Sequence, residues 1–126
     1  MQHILSCWIL LVPSLVAAQP RILHESITHL RVGEREWSEF PAQPEAEKLS
    51  IAFQSERNEG PWTLSLFQHD VKQTWNVTLN GEQLGRLTRD ENEMTVYFAL
   101  PEGVLQKGAN TLVVEQQTRG RPQPDD

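Results

Sequence analysis

Asn80-Gly81 stands between two runs of alternating apolar residues, with Trp75, Val77 and Leu79 before it and Leu84 after it. A two-residue connection of this kind suits a type I′ turn, which needs positive φ at both central residues and is supplied by Asn-Gly at least strain. The chain from Thr74 to Leu87 is therefore expected to be an antiparallel hairpin. With a plain two-residue loop, Val77 would face Leu84 and Trp75 would face Arg86, pairing two aliphatic side chains and bringing a guanidinium to an indole face. A chain that commits its middle to such a hairpin has to bury one face of the sheet it starts.

Period-two alternation recurs on both sides of it. Leu49, Ile51 and Phe53 alternate with Ser50, Ala52 and Gln54, and Trp62, Leu64 and Leu66 with Thr63, Ser65 and Phe67. Met94, Val96, Phe98 and Leu100 alternate with Thr95, Tyr97 and Ala99, and Leu112 with Val114 share one side of a run from Thr111 to Gln116. Successive side chains of a strand point to opposite faces, so each run presents one apolar face. Pro61 opens the second run where no ladder donor is needed. Before these runs the segment 19–35 has only Ile27, Leu30 and Val32 to bury, with Gly33 marking a turn, and it supports one irregular strand at most. Five or six short strands, polar turns and no 3.6-residue apolar stripe predict an all-β, antiparallel β-sandwich with little helix.

The ends of the chain differ from this middle. Residues 4–11 are almost wholly apolar, and Val16-Ala17-Ala18 places small residues at −3 and −1 before Gln19, the pattern of a cleaved secretory signal. Its apolar stretch, broken by Pro13, is shorter than the roughly 20 residues a helix needs to cross a bilayer. The expected division is a signal peptide at 1–18, a β-sandwich domain at 19–116 and a polar linker or disordered tail at 117–126, with a secreted or periplasmic destination and no membrane span after cleavage. Cleavage removes the sole cysteine, Cys7, so disulfides, thiolate metal sites and a cysteine nucleophile are excluded from the mature protein. Eleven Lys and Arg against seventeen Asp and Glu give a net charge of −6 with dispersed basic residues, which excludes nucleic acid as a partner.

Residues 75–85 (WNVTLNGEQLG) and 96–114 (VYFALPEGVLQKGANTLVV) carry a family resemblance. With a strand ending in Asn80-Gly81, a short hairpin through Gly85, a further strand, a loop closed by Gly108 and a strand entered at Asn110, the chain resembles a galactose-binding-domain-like jelly-roll sandwich over residues 49–114. Such modules are sugar-binding or accessory domains of glycoside hydrolases and other secreted bacterial enzymes. The resemblance implies a non-catalytic accessory module whose partners are carbohydrate or an attached or separate hydrolase domain. Gly108 and Asn110 have fold roles in it, the glycine by adopting a left-handed turn and the asparagine by bonding nearby backbone.

Residues 36–42 (EWSEFPA), taken with the hairpin, also resemble the N-terminal β-domain of secreted metal-dependent hydrolases of the CehA/McbA type. Those enzymes hold His-x-His motifs in a separate catalytic domain, and no His-x-His occurs in this chain. Related sandwiches return a last strand to the sheet after the Asn-Thr-Leu strand. This chain ends instead at Asp126, which gives the expectation of a truncated or split product with a sheet edge open to association.

No catalytic residues are assigned. Glu34, Glu36, Glu39, Glu45 and Glu47 have no spacing that converges two carboxylates on one point, and they fit a solvated acidic loop. His69-Asp70 lacks an accompanying nucleophile, and adjacent strand residues diverge. There is no phosphate loop, Gly-x-Ser-x-Gly elbow or His-Glu-x-x-His. Neither a metal site nor a cofactor is expected. Asn76-Val77-Thr78 matches a glycosylation sequon on the polar face of its strand, and the bacterial resemblance argues against its use. Trp62 and Trp75 share alternation with apolar neighbours and are assigned to the core. Trp37, between Glu36 and Ser38, is left as the carbohydrate-binding candidate, since a flat aromatic face can pack against the C–H groups of a sugar ring.

Overall fold

The computed structural model describes residues 20–35, 37–39 and 42–117. The expected signal peptide lies outside these residues, as does all of the expected tail except Gln117. Six strands form in chain order: β1 (Lys48–Ser55), β2 (Trp62–Gln68), β3 (Trp75–Leu79), β4 (Glu82–Arg86), β5 (Met94–Leu100) and β6 (Gly108–Gln116). All four apolar runs and the hairpin read from the sequence are strands, and among the described residues there is no helix. Every pairing of these strands is antiparallel, in a four-stranded sheet of order β1-β6-β3-β4 and a two-stranded sheet of β2 with β5. The fold is an antiparallel β-sandwich.

Register turns the sequence pattern into a core. Leu49 on β1 pairs with Val114 on β6, which pairs with Val77 on β3, and one step along the strands Ile51, Leu112 and Leu79 form a parallel row. These rows face Val96, Phe98 and Leu100 of β5, with Leu64 and Leu66 of β2 packed beside them. Val77, at the centre, is 0% exposed. Burying an aliphatic side chain of this size contributes about 1.5–3 kcal/mol. Val104 and Leu105, in the connection from β5 to β6, close one end, and Val71 closes the β2–β3 connection by exchanging backbone hydrogen bonds of 2.9 Å with Asp90 in both directions.

The hairpin turns as expected, with φ of 52° at Asn80 and 81° at Gly81, but its register differs from a plain two-residue loop. Leu79 pairs with Glu82 and Thr78 with Gln83, after which a bulge shifts the ladder, so that Val77 faces Gly85 and Asn76 faces Arg86. Leu84 is the extra residue. A bulge sets two residues against one and bends the strand, so the expected Val77–Leu84 and Trp75–Arg86 pairs do not form. Trp75 is buried at 3% exposure, and its carbonyl accepts the Leu87 N–H at 2.9 Å.

Gly85 sits where the bulge brings β4 against β5. A Cβ there would stand 2.9 Å from Cδ1 of the Phe98 ring, so only glycine lets that ring lie where it does.

Two burial expectations are corrected. Trp62 is 54% exposed although it is in phase with Leu64 and Leu66, because it is the first residue of β2 and no described strand flanks β2 on its second edge. Ile27 is 69% exposed, whereas Leu30 and Val32 pack against the core as expected. Ile27 lies outside any strand, and among the described residues of the segment 20–47 the one bridge is a parallel pairing of Leu30 with Ala46. Arg31, 3% exposed, holds this segment to itself by donating its backbone N–H to Ala46 O at 3.1 Å and Nη2 to Ala42 O at 2.8 Å.

Candidate functional site

The site grows from the Val71 bridge. Val71 is turned into the core, and the side chains of its neighbours Asp70 and Lys72 are each 24% exposed. Asp70 has φ of 56°, in the left-handed region that Asp and Asn occupy more readily than other non-glycine residues. Its carboxylate lies 3.5 Å from the Lys72 ammonium. Lys72 Nζ in turn stands 5.9 Å from the centre of the Trp37 ring, within cation–π range.

Trp37 is 56% exposed. Arg35 Nη1 donates to Ser38 O at 3.2 Å, closing the short loop that presents the indole. An open aromatic face therefore stands beside one cation and one anion, both partly withdrawn from water. Chemically this arrangement offers an apolar platform with hydrogen-bond donors and an acceptor at its edge.

The other residues considered from the sequence are dispersed. Among the described residues, no group of three His, Cys, Asp or Glu side chains could hold a metal ion, and no helix is long and apolar enough to cross a membrane. His69 is exposed and lies just past the end of β2, and the Asp70 carboxylate is 3.5 Å from Lys72 Nζ. Glu36 lies outside the described residues, and Glu34, Glu39, Glu45 and Glu47 are exposed. Asn76, the sequon asparagine, is half-buried on the outer side of β3, and its Oδ1 accepts a bond from Gln83 Nε2 at 3.4 Å. Nothing in the sequence pointed to Asp70 and Lys72 as neighbours of Trp37, because more than thirty residues separate them from it.

A second polar cluster, at the end of the sandwich closed by Val104 and Leu105, belongs to the fold. Asn110 bonds backbone as expected: Nδ2 donates to Gln106 O at 2.8 Å and Gly108 O at 3.0 Å, and Oδ1 accepts from Gln106 N at 2.8 Å. Gly108 has φ of 98°, the left-handed turn expected of it. Asn80 joins this cluster, donating Nδ2 to Asn110 Oδ1 at 2.8 Å and to Val104 O at 2.9 Å while accepting from Thr111 N at 2.9 Å. The turn asparagine thus also ties the hairpin to the β5–β6 connection.

Asn58 has the same work on the other flank. It is 1% exposed, donates to Pro101 O and Gly60 O, each at 2.8 Å, and accepts from Leu105 N at 3.0 Å. In the sequence it was one of several polar residues between two strands, with no periodicity to single it out.

Residues 42–121, well over half of the chain, match the family model described as the second all-beta domain of beta-galactosidase. No curated protein and no solved structure matches the chain.

Proposed function

The chain belongs to the family of the beta-galactosidase second all-beta domain, and from that premise we propose that it is an exported, non-catalytic accessory module that holds carbohydrate on the face of Trp37. The observation that carries the binding reading is the 56% exposed indole with Lys72 Nζ at 5.9 Å and Asp70 behind it. A pyranose ring stacks its C–H face on the indole, and its hydroxyls reach the ammonium and the carboxylate. Sites of this sort combine an apolar floor with a few placed polar groups that fix orientation. The family, an all-β domain numbered second within beta-galactosidase, supports an accessory role rather than a catalytic one. The signal pattern at residues 1–18 supports the export reading.

The test is a glycan array followed by calorimetric titration with β-galactosides. Binding should fall at least tenfold in Trp37→Ala, a loss of about 1.4 kcal/mol, and should persist in Trp62→Ala, which removes an equally exposed indole elsewhere. Lys72→Ala should weaken binding less than Trp37→Ala does. A protein that binds no glycan, or binds equally well without Trp37, removes the carbohydrate reading. Export is checked separately, by the N-terminus of the secreted product, expected at Gln19.

A further inference from the structure

β2 pairs with β5 along one edge, and among the described residues no backbone hydrogen bond reaches its other edge. The strand reads Trp-Thr-Leu-Ser-Leu-Phe-Gln from Trp62 to Gln68, with no charge, proline, glycine or bulge across seven residues. Natural sheets protect exposed edges with those devices, and elsewhere this molecule uses them. β4 is five residues long, carries Glu82 and Arg86 and is bent by the bulge at Leu84. β1 begins at Lys48, and Arg21 donates its guanidinium to Gln54 O near the far end of that strand. β5 has β4 beside it, with Phe98 pressed on Gly85. β2 has none of these protections, in a chain with net charge −6 whose residues are 22% charged.

The strand is also self-complementary. An isologous contact requires a patch that matches its own image under a two-fold rotation. A two-fold axis at Ser65 sets Leu64 opposite Leu66 of the second copy on the core side. On the solvent side it sets Thr63 opposite Phe67, with Ser65 meeting its own copy. Phe67, 50% exposed, thereby gains a neighbour, and the two-stranded sheet becomes a four-stranded one running β5-β2-β2-β5 through both molecules.

We propose that β2 is the interface through which two copies of this chain associate, by antiparallel edge pairing about Ser65. The proposal does not depend on carbohydrate binding at Trp37.

Sedimentation equilibrium of the purified chain from about 10 µM to about 1 mM tests it, with the variants Ser65→Lys and Ser65→Glu. Ser65 is exposed, so neither variant should disturb the monomer fold, which circular dichroism verifies. The wild type should shift from monomer to dimer mass with concentration. Each variant alone should stay monomeric, because like charges meet across the axis, and an equimolar mixture of the two should recover the dimer. Amide exchange provides a second readout, since protection across residues 62–68 should rise with concentration in the wild type. A wild type that stays monomeric throughout, or a dimer that neither variant weakens, overturns the proposal.

Discussion

At the scale of single residues, three asparagines carry more of this fold than their polarity suggests. Asn110 is 1% exposed and makes hydrogen bonds with Gln106, Gly108 and Asn80. A buried polar group left without its partner costs its full desolvation penalty, about 1–3 kcal/mol. Asn110→Ala strips partners from Gln106 N and from two carbonyls together, and it should lower stability by about 2–4 kcal/mol. Asn76→Ala, which gives up one 3.4 Å bond on a half-buried face, should stay within about 0.5 kcal/mol. Urea unfolding of both variants beside the wild type checks the contrast, and equal midpoints for the two would refute the structural weight assigned to Asn110. The sequence announced part of this. Gly108 followed by Asn110 is turn chemistry with a known backbone role, while Asn58 does comparable work and left no signal, because its partners Pro101 and Leu105 lie more than forty residues away.

At the scale of elements, period-two alternation identified each strand, and Asn80-Gly81 located the turn, because both signals are local. The register of β3 on β4 was not local. Leu84 was expected to pair, and instead it bulges, since Gly85 has to come opposite Val77 to leave room for the Phe98 ring of a strand in the other sheet. The same limit applied to Trp62, whose alternation was right and whose burial was not: a strand's period says which face a residue shares, and only the neighbouring strands decide whether that face is covered. Trp37 was legible as a candidate from its polar flanks alone, whereas its proximity to Lys72 required the fold.

The close approach at Gly85 supplies the prediction at this scale. Gly85→Ala drives a methyl to 2.9 Å from a core ring, and overpacking of this kind costs about 1–3 kcal/mol. In a Phe98→Leu background the ring atoms responsible are gone, and the same substitution should cost clearly less. A double-mutant cycle measured by thermal or urea unfolding reads that coupling. Additive effects would mean that Gly85 is required by the backbone of the bulge and not by the ring above it.

At the scale of the whole molecule, charge and strand edge act in opposite directions. The chain carries −6, and all of its formally charged side chains lie after residue 18, so a mature form keeps the same charge. Two such bodies with centres about 30 Å apart repel by several kcal/mol in pure water, from the Coulomb relation at the dielectric constant of water. Screening over a Debye length of about 30 Å at 0.01 M salt leaves an appreciable part of that repulsion, and a length of about 8 Å at 0.15 M removes nearly all of it. The edge of β2 has no charge, so the contact itself has little dependence on salt. Association through β2 should therefore tighten, by about tenfold, as salt rises between those two concentrations. An interface made of ion pairs behaves in the reverse sense and loosens with salt. Sedimentation equilibrium at the two ionic strengths distinguishes them by sign alone: a dimer that weakens with added salt would place the contact at charged positions such as Arg57, Glu59 and Glu102, and not along the seven neutral residues of β2.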